Sequence, residues 1–209
     1  MKQSARTIAA FDFDGTITTS DSLKAFVLHT VGIARFVAAG VLAGPQLIGM
    51  AAGRCDRGVA KAAFLRHALR GVSRARLEQA ARTFCESPLP EIIRPEMIDR
   101  IRAHQALGHE VVLVSASPSL YLRIWASQTA GIRHVLSTQL ELDDHGFTGR
   151  FTGKNCWGPE KVERLTAWWR DQPPATLFDY GDSRGDREMA ERADVAWIRG
   201  TGELPPLAG

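Results

Sequence analysis

Two pairs of carboxylates follow short apolar runs of this sequence. Asp12 and Asp14 lie two residues apart at the end of the run TIAAFDF, a spacing that in a continuing strand puts both side chains on one face. Asp182 and Asp186 follow the run TLFDY. Crowded carboxylates need a cation or a shared proton, and hard oxygen ligands suit Mg²⁺. The two pairs together predict a divalent-cation site, whereas either pair alone is equally typical of a helix cap or a turn.

A hydroxyl and an ammonium group lie between these pairs in chain order. Ser115 ends the run EVVLVSA, and Lys161 stands at the start of a helical pattern after CWGPE. Singly, such residues are more often a satisfied strand-end hydroxyl and a solvated lysine. Their positions at a strand end and a helix start, between the acidic pairs, favour a set that holds phosphoryl oxygens.

Strand and helix patterns alternate along most of the chain. Short apolar or β-branched runs predict strands at 7–13, 110–116, 176–180 and 195–198. Helical patterns are predicted at 96–107, 119–130, 159–170 and 187–192. This alternation predicts an α/β fold with a doubly wound parallel sheet, in which functional groups gather beyond the carboxyl ends of the strands.

The stretch between the first two predicted strands breaks the alternation. It contains no convincing strand, and it predicts helices at 23–31, 34–52, 57–69 and 74–85. Because the strands on either side belong to one sheet, we expect an inserted all-helical cap over the site. The predicted boundaries are 20–89 for the cap, and 1–19 with 90–209 for the α/β core. Residues 136–142 and 146–151 flank a glycine-bearing turn and predict a small β-hairpin.

Composition narrows the class of protein. The chain has 209 residues, of which 44% are hydrophobic and 23% charged, as in soluble globular proteins. Its cysteines, Cys55, Cys85 and Cys156, lack zinc-ligand or disulfide-framework spacing, which favours a reducing cytoplasm. Asp12 interrupts the first apolar stretch too soon for a secretory signal. We therefore predict a cytoplasmic protein with no cleaved signal.

Charge and hydropathy patterns indicate which partners this protein binds. The net charge is +3, and the arginines are dispersed rather than grouped with aromatics, which argues against a nucleic-acid partner. The run Phe36–Gly53 holds no charged residue over 18 positions. Such a run dips into a membrane surface, lines an apolar pocket, or forms two packed cap helices broken at Gly44-Pro45. Peripheral membrane contact through the cap is thus one of three interpretations.

The ordered motifs Asp-x-Asp-Gly-Thr, strand-end Ser, Lys and Gly-Asp-Ser-x-x-Asp resemble the four-motif signature of the haloacid dehalogenase superfamily. The resemblance implies a Rossmann-like core and an Mg²⁺-dependent phosphatase in which Asp12 attacks phosphorus to form an aspartyl-phosphate. By the same resemblance, Asp14 is the general acid and base. The implied magnesium ligands are Asp12, the main-chain carbonyl of Asp14, and Asp182.

The resemblance also implies supporting roles. Ser115, Ala116 and Lys161 would bind the phosphoryl oxygens. Asp186 would orient Lys161 or a metal-bound water, and Thr16 of the first motif would support the site from behind.

The helical insertion directly after the first motif resembles subfamily IB of this superfamily, which contains the phosphoserine phosphatases. In those enzymes an acidic residue nine positions after the nucleophile recognises the substrate amine, and Asp21 holds that place here. Only Arg57 and Arg66 are candidates for the cap arginine that binds the substrate carboxylate. A second resemblance, in Gly158–Val162, the run Ser115–Pro118 and Ile198–Leu204, is to C-type phosphatidylglycerophosphatases, which act on a lipid phosphate.

Three functions follow from these patterns. The leading hypothesis is hydrolysis of a phosphate monoester, either a small metabolite such as phosphoserine or histidinol phosphate, or a lipid head-group phosphate. The same covalent intermediate would also allow phosphotransfer to an acceptor other than water. A binding module that merely kept the fold would not require the general acid Asp14, so the sequence favours an enzyme.

Overall fold

The computed structural model of this chain describes residues 6–207. Their β-strands are β1 Thr7–Phe11, β2 Glu110–Pro118, β3 His134–Thr138, β4 Leu140–Asp143, β5 Gly146–Phe151, β6 Thr176–Gly181 and β7 Val195–Ile198. Their α-helices are α1 Ser22–Leu42, α2 Gly44–Ala51, α3 Arg57–Leu69, α4 Arg74–Glu86, α5 Pro95–Ala106, α6 Ser119–Gln128, α7 Pro159–Trp169 and α8 Arg187–Arg192. Two short 3-10 segments, Pro90–Ile92 and Arg184–Asp186, complete the secondary structure of these residues.

The central sheet has five strands in the order β3-β2-β1-β6-β7, and each neighbouring pair is parallel. Strand β1 lies in the middle and is buried on both faces, as expected for a parallel sheet. Ala9 and Phe11 pack into the apolar cluster that contains residues of α5 and α6, while Ile8 and Ala10 pack with α7 and α8. Helices thus cover both faces, which confirms the predicted doubly wound α/β fold.

Two strand predictions are wrong at their ends. Strand β1 ends at Phe11 rather than at Phe13. The amide of Asp12 still donates to the Tyr180 carbonyl at 2.8 Å, and the chain turns beyond Asp12. Asp12 and Asp14 therefore do not share one face of a continuing strand. Strand β2 runs to Pro118, so Ser115 lies inside it rather than at its end, next to the register shift of the β2–β3 pair.

The hairpin is confirmed, but its first strand is shorter than predicted. The predicted strand 136–142 is divided between two sheets: β3 belongs to the central sheet, and only β4 pairs antiparallel with β5. The turn between β4 and β5 lies at the predicted place, and the amide of His145 donates to the Asp143 carboxylate at 2.8 Å. A local apolar run does not reveal such a change of sheet.

The four helices α1 to α4, called here the helical segment, follow β1 as predicted. The prediction of one helix over 34–52 is wrong, because α1 extends to Leu42 and α2 begins anew at Gly44 with a proline in its first turn. Gly32 adopts φ 77° and ψ 167°, which interrupts the helical conformation inside α1. Asp21, Asp56 and Ser73 cap α1, α3 and α4 with their side chains.

A buried histidine behind the sheet makes stability depend on pH. His104 of α5 is fully buried, with Nε2 2.8 Å from the Tyr180 hydroxyl and Nδ1 2.8 Å from Nδ1 of His109. Burial, aided by Arg100 and His109, lowers the pKa of His104 to about 3. The unfolded chain binds the imidazole proton below about pH 6.5 and the folded chain does not, so stability falls as pH drops from about 6.5 towards 3.

We expect this histidine to contribute a loss of up to about 1.4 kcal/mol per pH unit below its unfolded pKa. The measurement is urea unfolding of the wild type and of His104→Leu between pH 4.5 and 7.5. The variant should be less stable at pH 7.5, and its free energy of unfolding should depend less steeply on pH. Parallel pH profiles for the two proteins would contradict this account of His104.

Candidate active site

The predicted site residues meet at the carboxyl edge of the central sheet. The β1 register aligns Phe11 with Leu113 of β2 and with Tyr180 of β6, so Asp12 stands beside the ends of both neighbouring strands. A cavity of about 660 Å³ opens there between the sheet edge and the helical segment. Its lining includes Asp12, Asp14, Asp21, Ser115, Ala116, Lys161 and Asp182.

A buried ion-pair network joins the first, third and fourth motifs. Lys161, in the first turn of α7, donates from Nζ to Asp12 Oδ1 at 2.6 Å and to Asp186 Oδ1 at 2.5 Å. All three side chains are at least 90% shielded from solvent. The surface lysine considered as the alternative for Lys161 is therefore wrong: its charge is buried and matched by two carboxylates.

Burial and charge oppose each other in this network. Desolvation raises the pKa of Asp12 to about 8, and the Asp186 carboxylate adds to the rise, while Lys161 lowers it. Desolvation lowers the pKa of Lys161, but Asp12 and Asp186 outweigh it, so the net pKa of this ammonium is raised. Lys161 thus stays charged, whereas burial disfavours the ionised form of Asp12, which a further cation would stabilise.

Asp12 also belongs to a cluster of three carboxylates. One carboxylate oxygen from each of Asp12, Asp182 and Asp186 lies within 4.8 Å of the others. Asp186 Oδ2 is occupied by the amides of Asp182 and Ser183 at 3.2 and 3.1 Å, so Asp186 also shapes the loop that carries Asp182. Burial raises the pKa of Asp182, with the charge of Asp186 as the next cause. An all-oxygen set of this kind fits a hard divalent cation.

Gly15 makes the approach of this loop to the first motif feasible. Its φ is +80°, in the left-handed region that favours glycine. A Cβ added at Gly15 would lie 2.1 Å from Asp182 Oδ2, which is too close for any side chain. The glycine of the first motif is therefore needed both for the turn after Asp12 and for the position of the Asp182 carboxylate.

The Asp14 carboxylate does not belong to this cluster of oxygen atoms. It accepts from the amide of Ser22 at 2.7 Å and from the Ser117 hydroxyl, and it lines the same cavity as Asp12. Burial raises the pKa of Asp14, and the charge of Asp21 adds to the rise. Sequence reasoning missed Ser22 and Ser117, because hydroxyls near a helix start and a turn have many local uses.

The remaining predicted residues occupy different positions. Thr16 is fully buried, and its hydroxyl has no hydrogen-bond partner among residues 6–207. Asp21 lies at the rim of the cavity and caps α1 by accepting from the Lys24 amide at 3.0 Å. Arg57 reaches the cavity, with its guanidinium 5.0 Å from the centre of the Trp157 ring. Arg66 borders only a neighbouring groove, which Arg57 also lines, so Arg57 is the arginine candidate that lines the cavity.

Lys61 of α3 is a cavity residue that sequence reasoning missed. Its Nζ donates to the main-chain carbonyl of Ala116 at 2.5 Å and to Asn155 Oδ1 at 3.3 Å. Burial lowers the pKa of Lys61 to about 8, while Asp14 and Asp21 oppose the change. The usable signal was its place four residues after Arg57, which puts the two cations on one helix face.

The helical segment gives the cavity an apolar wall. The residues that form it are Leu23, Phe36, Gly40, Leu47, Met50 and Phe64. The charge-free run 36–53 therefore supplies part of this wall. The cavity as a whole joins this apolar wall to a polar floor in which the lysines Lys61 and Lys161 lie among the carboxylates.

An α/β sheet with an acidic cluster and a buried lysine at its carboxyl edge defines a class of hydrolytic enzyme, and the comparisons with known proteins place the chain in that class. The haloacid dehalogenase-like hydrolase family model matches residues 9–191. The chain belongs to this family. The expected hydrolase with a haloacid dehalogenase fold is confirmed.

Individual relatives add detail. The protein CicA of Caulobacter vibrioides is 37% identical over 193 residues, covering 92% of this chain and 85% of CicA. A Bordetella pertussis Tohama I protein of unknown function has a similar structure, with a TM-score of 0.78, 24% identity, and coverage of 92% of this chain and 89% of that one. A structure described as the phospho-aspartyl intermediate analogue of phosphoserine phosphatase has a TM-score of 0.67 at 15% identity, with coverage of 92% and 86%.

Proposed function

We propose that this protein is a Mg²⁺-dependent phosphate-monoester hydrolase that works through an aspartyl-phosphate on Asp12. The observation that carries the proposal is the buried Asp12–Lys161–Asp186 network with Asp182 beside it, at the carboxyl edge of the sheet. A structural ion pair would not need a third carboxylate or an adjoining cavity. The fold shared with a phospho-aspartyl analogue of phosphoserine phosphatase supports the same chemistry.

The metal would be held by Asp12, Asp182 and the main-chain carbonyl of Asp14. Bound there, Mg²⁺ would neutralise charge on the phosphoryl oxygens and on the attacking carboxylate. Asp186 would keep Asp182 in place through the loop amides that it accepts, and would orient Lys161. The buried Thr16 would pack behind the first motif.

In the first step, the Asp12 carboxylate attacks phosphorus, an oxygen–phosphorus bond forms, and the ester oxygen leaves with a proton from Asp14. The raised pKa of Asp14 suits a carboxyl group that must carry that proton. Ser115, Lys161 and Ala116 would hold the phosphoryl oxygens. In the second step, Asp14 takes a proton from water as the water attacks phosphorus, which releases phosphate and restores Asp12.

Residues 20–89 would serve as the cap and residues 1–19 with 90–209 as the catalytic core. The cap would then choose the substrate, because Asp21, Arg57 and the apolar wall all belong to it. Asp21 would bind an amine of a small phosphorylated metabolite such as phosphoserine. Arg57 rather than Arg66 would meet an anionic group, since only Arg57 lines the cavity.

The test of the activity is hydrolysis of p-nitrophenyl phosphate with and without Mg²⁺, followed by a screen of amino-acid, sugar and lipid phosphates. One phosphate released for each substrate consumed supports hydrolysis, and a shortfall in the presence of alcohols indicates phosphotransfer. A complete lack of turnover across the screen with Mg²⁺ would remove the proposal.

A second candidate is hydrolysis of a lipid head-group phosphate at a membrane surface, as the resemblance to C-type phosphatidylglycerophosphatases implies. The outer side of α1 and α2 exposes an apolar stripe, which consists of Ile33, Val37, Val41, Leu42 and Ile48. Between Asp21 and Asp56 the chain has basic residues but no acidic one, so the surrounding charge suits an anionic lipid surface. The same helices form the apolar wall of the cavity.

Within residues 6–207, α1 is the helix that is long and apolar enough to cross a membrane by length and composition. Its interruption at Gly32 divides it into two shorter parts, each below the roughly 20 residues that a span needs. A helix that lies in the membrane surface with one apolar side agrees better with this shape.

We expect the wild type to sediment with phosphatidylcholine vesicles that contain an anionic phospholipid. The double variant Val37→Glu/Val41→Glu should lower the partition coefficient at least about tenfold, since each burial contributes about 1.5–3 kcal/mol. Leu107→Glu is the matched control, because Leu107 is an exposed apolar residue outside the stripe, and it should bind like the wild type. If the wild type stays in the supernatant with anionic vesicles, the membrane-surface candidate is wrong and only soluble phosphate esters remain as substrates.

A further inference from the structure

Three lysines line the cavity, and their surroundings differ. Lys24 is exposed, and its Nζ lies 3.7 Å from Asp21 Oδ2. Lys161 is neutralised by Asp12 and Asp186, which lie 2.6 and 2.5 Å from its Nζ. Lys61 instead contacts only neutral oxygens, the Ala116 carbonyl and the Asn155 amide oxygen. Among residues 6–207, no carboxylate forms a salt bridge with Lys61. Its positive charge, like that of Arg57 on the same helix, is therefore not matched by an ion pair among these residues, and Asp14 and Asp21 offset it only from a greater distance.

An enclosed cation without a direct ion-pair partner lowers stability, because distant carboxylates replace only part of its lost hydration. A methionine of similar length would fill the same space without that penalty. The charge of Lys61 is therefore a stability disadvantage in the ligand-free chain, and it becomes favourable once an anion enters the cavity.

The hydrogen bonds of Lys61 use two of its three N–H donors and leave the third for a ligand. An ammonium group has three N–H donors, and two of them are directed at Ala116 and Asn155. Asn155 is itself fixed, since its Oδ1 also accepts from the Thr138 hydroxyl at 3.0 Å. The Nζ atom is thus held by two hydrogen bonds, and Lys61 lines the cavity with one N–H donor that has no acceptor among residues 6–207.

We infer that Lys61 is a substrate-binding residue that donates to an oxyanion of the bound phosphate ester from the side of the helical segment. The inference rests on the proposed phosphatase function, and it adds a ligand contact that the four motifs do not contain. The oxyanion has two sources, the phosphoryl group itself or a second anionic group on the leaving group. Arg57, one turn earlier on α3, adds positive charge on the same face of the helix.

The experiment compares wild type, Lys61→Met, Lys61→Arg and Lys154→Met. Lys154 is an exposed lysine outside this cavity, so Lys154→Met removes the same charge without touching the site. Binding of inorganic phosphate is measured by calorimetry in the presence of Mg²⁺. Hydrolysis of phenyl phosphate and of 4-carboxyphenyl phosphate is measured as separate kcat and KM values, and thermal unfolding is recorded for every variant.

If Lys61 binds the phosphoryl group, Lys61→Met should weaken phosphate binding by about 10- to 100-fold, as expected for a lost hydrogen bond to a charged group. It should also raise KM for both esters alike. If the source is the second anion, phosphate binding should stay unchanged, and the wild-type preference for the carboxylated ester should disappear. In either case Lys61→Arg should recover part of the effect, and Lys154→Met should match the wild type.

The inference is overturned if Lys61→Met equals the wild type in phosphate affinity and in both KM values. If Lys61→Met also loses thermal stability while its phosphate affinity and both KM values stay unchanged, Lys61 only fastens α3 to the core. A wild type that binds phosphate but hydrolyses neither ester would instead contradict the proposed function. Calorimetry of the variants with inorganic phosphate and with the unhydrolysed 4-carboxyphenyl phosphate would still decide the role of Lys61.

Discussion

Replacement of Asp12 by asparagine is expected to lower the turnover of p-nitrophenyl phosphate at least about 10⁴-fold, the usual scale for loss of a nucleophile in covalent catalysis. The amide nitrogen cannot attack phosphorus, and two neighbouring carboxylates have other partners: Asp14 is held by Ser22 and Ser117, and Asp186 by Lys161. The measurement is kcat at saturating Mg²⁺ and substrate.

The same replacement should change the free energy of unfolding only slightly. Asparagine has nearly the same shape, Lys161 keeps Asp186 as its counter-charge, and the raised pKa of Asp12 shows that burial already disfavours its ionised form. Asp99→Asn is the matched control, because Asp99 is an exposed carboxylate on α5, and it should leave kcat unchanged. A rate for Asp12→Asn within tenfold of the wild type would remove Asp12 as the nucleophile.

Lys161→Met is expected to destabilise the protein and to reduce its activity. Without the ammonium, the carboxylates of Asp12 and Asp186 stay buried next to each other with no counter-charge. Breaking a buried ion pair in this way costs about 3–5 kcal/mol, and loss of a charge-stabilising donor costs about 10²- to 10³-fold in kcat. Urea unfolding and steady-state kinetics measure the two losses separately.

Two further measurements identify the cause of the lost stability. Added Mg²⁺ should recover part of the stability of Lys161→Met, since a cation at the oxygen cluster replaces part of the missing charge. The double variant Lys161→Met/Asp186→Asn should be more stable than Lys161→Met alone and equally slow. A Lys161→Met protein as stable as the wild type without Mg²⁺ would show that the network does not stabilise the fold.

The position of the site could be predicted from the sequence because parallel strands carry their functional groups to one edge. Asp12, Ser115 and Asp182 each follow a different apolar run, and the sheet brings those runs side by side. The motif order placed Lys161 with them, although its own sequence context suggested a surface residue. Distances and protonation states could not be predicted, because they depend on burial by helices remote in the sequence.

The missed residues have a common physical cause. Lys61 is 55 residues from Ala116, and Ser117 is 103 residues from Asp14, so no local pattern connects these partners. The division of the predicted strand 136–142 between the central sheet and the hairpin was missed for a similar reason. Only pairing with β2 reveals that 134–138 belongs to the central sheet.

The apolar run 36–53 illustrates a further limit of sequence patterns. The three interpretations of this run were a membrane surface, a pocket lining and helix packing. Phe36, Leu47 and Met50 line the cavity, whereas Val41 and Ile48 are more than 70% exposed to solvent. Hydropathy reports how apolar a residue is, but not which side of a helix faces the core.

The most direct test of the central claim is mass spectrometry of the acid-quenched enzyme during turnover with Mg²⁺. The proposed mechanism predicts the added mass of one phosphoryl group on the peptide that contains Asp12. Hydroxylamine should remove that mass, as expected of an acyl phosphate, and Asp12→Asn should not acquire it. A phosphoryl group on another residue during turnover, or rapid turnover with no phosphorylated enzyme at any quench time, would contradict the account.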